Sequence, residues 1–151
     1  MDIIDILYGE HGMLLRILEA LEEYEMPKQR WDTEIAACRM AARLMRSHAD
    51  MEDELLFPAL VGRSDYATVV LEDHKADHFV IRKLLREAER PGSGAPERLR
   101  ELATAIRNHF EKEEGILFPM MRNAIPRGEL EKLGEATRAY RRMEKYRKAP
   151  L

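Results

Sequence analysis

Cysteine is almost missing from this chain, and the single Cys38 excludes a disulfide framework or a thiolate zinc site within one chain. A reducing compartment is the expected setting. No apolar run approaches the roughly 20 residues needed to cross a bilayer. The acidic start Met1-Asp2 also lacks the basic region of a secretory signal. The expectation is a cytoplasmic protein with no membrane partner. Charge of one sign is lacking too: the net charge of −3 is too mild to suggest a nucleic-acid partner. Aromatic residues are few, at 7%, and alongside many Ala, Leu, Glu, Arg and Met this scarcity argues for helices over sheets.

What is present suits one ordinary domain. The 151 residues, 45% hydrophobic and 35% charged, are enough to bury a real core. Histidine is confined to five positions, and two of these open a repeated stretch. His48-Ala-Asp-Met-Glu52-Asp-Glu-Leu-Leu-Phe57-Pro58 returns as His109-Phe-Glu-Lys-Glu113-Glu-Gly-Ile-Leu-Phe118-Pro119. Four residues on a helix place histidine and glutamate on one face, about 6 Å apart along the axis.

Helical periodicity runs through the rest. Ile4, Leu7, Leu14, Leu18 and Leu21 mark a first helix from Asp2 to about Glu25, with His11 inside its apolar stripe and Pro27 as the stop. A second runs from an N-cap at Asp32 to about Val61, with Cys38, Ala41, Met45, His48, Glu52 and Leu55 facing in. After a break at Gly62-Arg-Ser-Asp65, a third helix to about Arg90 carries Val70, His74, His78, Ile81, Leu85 and Ala88 on one stripe. The loop Pro91-Gly-Ser-Gly-Ala-Pro96 leads into a fourth, to about Asn123, with Leu102, Ile106, His109, Glu113, Ile116 and Leu117 inward. Pro58 and Pro119 are expected to bend or fray the last turns of their helices. A shorter helix, about Glu129 to Tyr146, has a weak stripe of Leu130, Leu133, Tyr140 and Met143. Its basic run, Arg138 to Lys148, reads as a solvated helix end favoured by the helix dipole, with docking of a partner the minority reading.

The two halves also resemble each other at their other histidines. His11-Gly-Met-Leu-Leu-Arg-Ile-Leu pairs with His78-Phe-Val-Ile-Arg-Lys-Leu-Leu at an offset of 67, against 61 for the first repeat. A duplicated helical hairpin with short connections predicts an all-α, up-down-up-down antiparallel four-helix bundle over residues 1–125, followed by a short C-terminal helix and basic tail over 126–151. In that bundle His11, His48, Glu52, His74, His78, His109 and Glu113 all lie at a depth of roughly 14 to 21 Å from one end. They fall in a single layer.

Burial there makes the layer informative. An unpaired carboxylate in an apolar core costs several kcal/mol, against a total stability of about 5 to 15 kcal/mol. No lysine or arginine lies beside these residues on the inner stripes, so bound cations are the expected compensation. Five neutral nitrogens and two carboxylates exceed the needs of a structural zinc site and suit two first-row metal ions bridged by carboxylates. Singly, each residue has a plainer reading. A lone histidine on an apolar face is more often a hydrogen-bonded core residue, and His74 alone would be read so. Tyr8 reads as packing ahead of a hydrogen bond to the site, Met45, Phe57 and Phe118 as core, and Trp31 as an anchor near a helix start. Joint occurrence in one layer is what points to metal.

With His11, His48-x-x-x-Glu52, His74-x-x-x-His78 and His109-x-x-x-Glu113 in view, the chain resembles the hemerythrin-like, HHE cation-binding domain family over roughly residues 1 to 125. The resemblance implies a non-haem centre of two iron ions. His74, His78 and His109 would hold one iron, and His11 and His48 the other. Glu52 and Glu113 would bridge them together with an oxo or hydroxo group, leaving an open position where the family binds oxygen. The chain departs from the oxygen carriers of the family at one point. They place an aspartate five residues after the histidine of the fourth helix, whereas Glu113 here comes four after and Glu114 five after. Either could be the ligand; Glu113 repeats Glu52 and keeps to the histidine's face.

Several functions follow from such a centre. The first is binding of oxygen, or of nitric oxide, for sensing, storage or protection. The alternative is a di-iron enzyme reducing peroxide or nitric oxide, or iron storage and delivery. No histidine has a glutamate three residues before it, which argues against ferritin-type oxidase chemistry. A metal-free interaction module is disfavoured by the buried polar layer, and any protein partner is left unspecified.

Overall fold

The structure is a computed structural model that describes residues 1–23, 31–90 and 95–147, without the side chains of 23, 31–38, 95–96 and 144–147. The expected stop at Pro27, the loop over 91–94, the side chains of Trp31, Asp32 and Cys38, and Lys148 lie outside the described residues. Among the described residues every regular element is helical and none is a strand. No helix is long and apolar enough to cross a membrane.

Helix α1 spans Ile3–Glu23 and α2 spans Trp31–Met51. α2 passes through a π-helical turn, Glu52–Leu56, into the short α3, Phe57–Leu60. At Gly62 the backbone turns with φ 75°, a conformation that costs glycine least. Ser64 then caps α4, Asp65–Ala88, its side chain accepting the Ala67 N–H at 3.0 Å. α5, Ala95–Lys112, likewise widens into a π-turn, Glu113–Leu117, and continues as α6, Phe118–Ala124. α7 runs over Arg127–Arg147.

The π-turns correct the expected register. Each sits directly before Phe-Pro, where the proline cannot donate the next helical hydrogen bond and its ring crowds the carbonyl four residues back. The chain neither frays nor stops. It widens, so that the Phe57 N–H reaches Glu52 O and the Phe118 N–H reaches Glu113 O, five residues back. The inward face therefore advances by four residues without sharing the burial at three. Leu56 and Leu117 are fully buried, whereas Leu55 is half-buried and Ile116, expected to face in, is 43% exposed. Both π-turns begin on the glutamate of a His-x-x-x-Glu pair.

Two apolar clusters fill the core. One joins Ile3, Ile4 and Leu7 of α1 to Leu60 of α3, Val70 and Leu71 of α4, and Phe118 and Met121 of α6. The other joins Leu14 and Leu18 to Met45 of α2, Ile81 and Leu85 of α4, and Ile106 and Phe110 of α5. His11 falls between the α1 members of the two clusters, and His74 and His78 between those of α4. α7 packs along α1 and the first π-turn. Leu130 belongs to the first cluster, with Leu133 and Tyr140 against it, while Met143, expected on the same stripe, is exposed. A Cβ at Gly134 would stand 2.8 Å from Met1 O, so this glycine lets α7 approach the start of α1.

Candidate metal centre

All seven residues expected in the polar layer are buried, at 0–1% exposure. Six converge. His11, His48, Glu52 and Glu113 form one group of donor atoms lying within 4.8 Å of one another, and Glu52, His78, His109 and Glu113 form a second. The two glutamates belong to both groups. His11 Nε2 lies 3.1 Å from Glu113 Oε2, and His48 Nε2 lies 3.3 Å from Glu52 Oε1. On the other side His78 Nε2 is 3.2 Å from Glu52 Oε2, and His109 Nε2 is 3.3 Å from Glu113 Oε1. His74 stands outside both groups. Its ring centroid is 5.6 Å from that of His109, and its Nδ1–H donates to Val70 O at 2.7 Å.

The outer nitrogens of the four converging histidines each face a carboxylate. His48 Nδ1 meets Glu10 at 2.8 Å, His11 Nδ1 meets Glu114 at 2.8 Å, and His78 Nδ1 meets Asp53 at 3.0 Å. His109 Nδ1 faces Asp77 at 3.5 Å. A carboxylate on Nδ1 keeps the proton there and turns the Nε2 lone pair inward, the arrangement that orients imidazole toward a metal. Three of these carboxylates are themselves held by cations: Glu10 by Arg141, Asp53 by Arg82 at 2.6 Å, and Asp77 by Lys112 at 2.9 Å. Glu114 thus lies at the rim beside His11, while Glu113 points into both donor groups.

The sequence itself carries a signal for these partners. Glu10-His11 and Asp77-His78 are acid-histidine pairs at the same offset of 67 that relates the histidines, and Glu52-Asp53 repeats as Glu113-Glu114. In each half the acid before one histidine serves the histidine of the neighbouring helix. Phe110, next to His109 in sequence, belongs to the site as well. Its ring stacks on His11 at 3.7 Å and 7°, while Phe57 stacks on His78 at 5.3 Å. Phe57 and Phe118 are core residues as expected, and they also wall the rings of His78 and His11. Tyr8 packs edge-on against Phe118 at 5.0 Å, in keeping with its reading as packing.

Electrostatics separates the two buried glutamates. Burial favours the neutral carboxyl at both. At Glu52 it is outweighed by the charge and close approach of His48 and His78, which hold the carboxyl well below the usual range. At Glu113 burial is reinforced by the negative charge of Glu52, and the carboxyl is pushed well above that range. The histidines divide too. Burial, with His48 nearby, takes His11 down to about 3. His48 rises to about 9 because the Glu52 charge and the Glu10 hydrogen bond overcome its burial.

The donor set fits metal ions. The Nε2 atoms of His11, His48 and His74 and all four oxygens of Glu52 and Glu113 are buried without a hydrogen-bond partner. At about 1–3 kcal/mol for each buried unsatisfied group, such a cost rivals the whole stability of a domain of this size. His78 Nε2 and His109 Nε2 also face each other at 3.1 Å. One cation bound there would take both Nε2 lone pairs. Imidazole nitrogen and carboxylate oxygen together suit first-row divalent metals.

Buried imidazole and carboxylate donors shared between helices define a helical cation-binding protein. The chain belongs to the hemerythrin HHE cation-binding domain family, whose model matches residues 2–145 and so takes in most of α7. A DNA nickase of Nostoc sp. is 30% identical over 84 residues, covering 54% of this chain and 23% of that protein. The chain therefore matches less than a quarter of its relative's length. No solved structure matches it.

Proposed function

We propose that this is a non-haem di-iron protein that binds a small diatomic ligand, oxygen or nitric oxide, for sensing, storage or protection. The observation that carries the reading is the pair of four-residue donor groups sharing Glu52 and Glu113. In this reading His11 and His48 would hold one iron and His78 and His109 the other, with Glu52 and Glu113 available to both. His74, outside both groups, would add a ligand on the second side through its unpartnered Nε2. The unequal histidine count would leave the first iron more open to the small ligand. α1, α2–α3, α4 and α5–α6 then form an up-down-up-down four-helix bundle. The two apolar clusters support this, since one combines the starts of α1 and α4 with the ends of the other two.

When bound, the iron pair supplies electrons and a coordination position to the small ligand. The chain supplies the rest. Glu10, Glu114, Asp53 and Asp77 orient the imidazoles, and Phe57, Phe110 and Phe118 exclude water from their faces. The nickase likeness carries no activity to this chain, because it spans a small part of that protein.

The test is metal analysis of protein from iron-supplemented cells, with absorption spectra after reduction and after return to air. Two irons per chain and a reversible ligand-dependent band are expected. Colourless, iron-free protein would sink the reading, and rapid turnover of peroxide or nitric oxide would replace it by the enzymatic one.

A further inference from the structure

The duplication leaves one half of the site short of a cation. In the second half, Asp77 orients His109 and is held by Lys112 from the same helix as that histidine, at 2.9 Å. The matching position in the first half, 61 residues earlier, is Met51, which is fully buried in the apolar core. Glu10, the counterpart of Asp77, therefore has no cation on α2 at that position.

Arg141 of α7 stands there instead. Its Nε donates to Glu10 Oε1 at 3.0 Å and its Nη2 to Glu10 Oε2 at 2.6 Å, a two-point grip that fixes the plane of the carboxylate. Its Nη1 donates to the backbone O of Ser47 at 2.7 Å. Ser47 immediately precedes His48, and Glu10 Oε2 meets His48 Nδ1 at 2.8 Å. One guanidinium thus grips both the partner of the His48 ring and the backbone beside it. Arg141 belongs to the basic run expected to be a solvated helix end, yet it is only 26% exposed.

We infer that Arg141 is a positioning residue for the metal centre, holding His48 toward the first iron through Glu10 and Ser47. α7 is then part of the site, not an appendage to it. Lysine, a single point charge, can replace the charge but not the two-point grip.

The experiment compares wild-type protein with Arg141→Gln, Arg141→Lys, Glu10→Ala and the Arg141→Gln/Glu10→Ala double variant. Arg82→Gln, which loosens Asp53 beside His78, serves as the mirror control. The iron readout rests on the di-iron reading above. Arg141→Gln is expected to weaken one iron about 10- to 100-fold against a competing chelator, the usual effect of losing such an outer partner. Mössbauer spectra should show that a different iron from the one disturbed by Arg82→Gln is affected. Arg141→Lys should recover part of the loss, and the double variant should be no worse than Glu10→Ala. The second readout needs no metal. Proton–nitrogen correlation spectra of the metal-free imidazoles should show the hydrogen-bonded Nδ1 proton of His48 displaced in Arg141→Gln as in Glu10→Ala, with unchanged helicity. An unmoved His48 resonance, or loss of both irons in parallel, would overturn the assignment. If wild-type protein binds no iron, the di-iron reading fails while the His48 resonance still decides the role of Arg141.

Discussion

Glu52 and Glu113 occupy equivalent places in a repeat, yet removing their charges should have opposite effects on the metal-free protein. Glu52 is the ionised member, lying between His48 and His78 at 3.3 and 3.2 Å. Glu52→Gln leaves the buried His48 cation without its main counter-charge. Removing one partner of a buried pair costs about 3–5 kcal/mol. At about 2–4 °C per kcal/mol for a chain of this length, the melting temperature should fall by roughly 6–20 °C. Glu113 already favours its neutral form, because burial and the Glu52 charge both oppose ionisation. Glu113→Gln reproduces that neutral carboxyl in shape and polarity, so the melting temperature should hold or rise. Both variants should hold less metal, since each removes a carboxylate shared by the two donor groups. The assay is thermal unfolding followed by helical circular dichroism near pH 6.5 after chelator treatment, with iron measured separately. Equal losses of stability in the two variants would refute the division of charge between the glutamates.

The widened turns make Leu117→Ala costly, at about 2–5 kcal/mol for a fully buried leucine, whereas Ile116→Ala should change denaturant stability by less than about 0.5 kcal/mol. A comparable cost at both positions would show that the register is that of an unbroken α-helix. The metal-free protein should lose stability as pH rises from 6.5 through about 9, because His48 binds its proton more tightly folded than unfolded and that contribution ends once the folded ring deprotonates. Acid should also weaken it as pH falls from 6.5 toward about 3, since His11 resists a proton that the unfolded chain accepts; denaturant titrations across this range check both limbs. Gly134→Ala forces a Cβ to 2.8 Å from Met1 O, and a loss of about 1–3 kcal/mol is expected in the same titrations. Unchanged stability there would show that α7 can shift away from α1 at little cost.

Much of this protein was legible because metal ligands come as residue types at helical spacing. The His-x-x-x-Glu pairs, the two other histidine positions and the 3.6-residue stripes are local properties of the chain, and they pointed to the helical class and to one polar layer. The outer carboxylates were legible in principle, as Glu10-His11 and Asp77-His78 repeat at the histidine offset. Their role was hidden because each serves a histidine on another helix.

The sequence by itself determined the family, the helical class and the faces on which the candidate ligands lie, since spacing along one helix is all that these require. Tertiary structure decided what depends on neighbours. It turned Ile116 outward through a π-turn, placed Glu113 in the donor groups and Glu114 on His11, and pushed the carboxyls of two matching glutamates in opposite directions. It also brought Arg141 from α7 to the place where the repeat has Met51. Hydrogen bonds and charge act across space, and nothing in the order of residues records which helix will stand beside which.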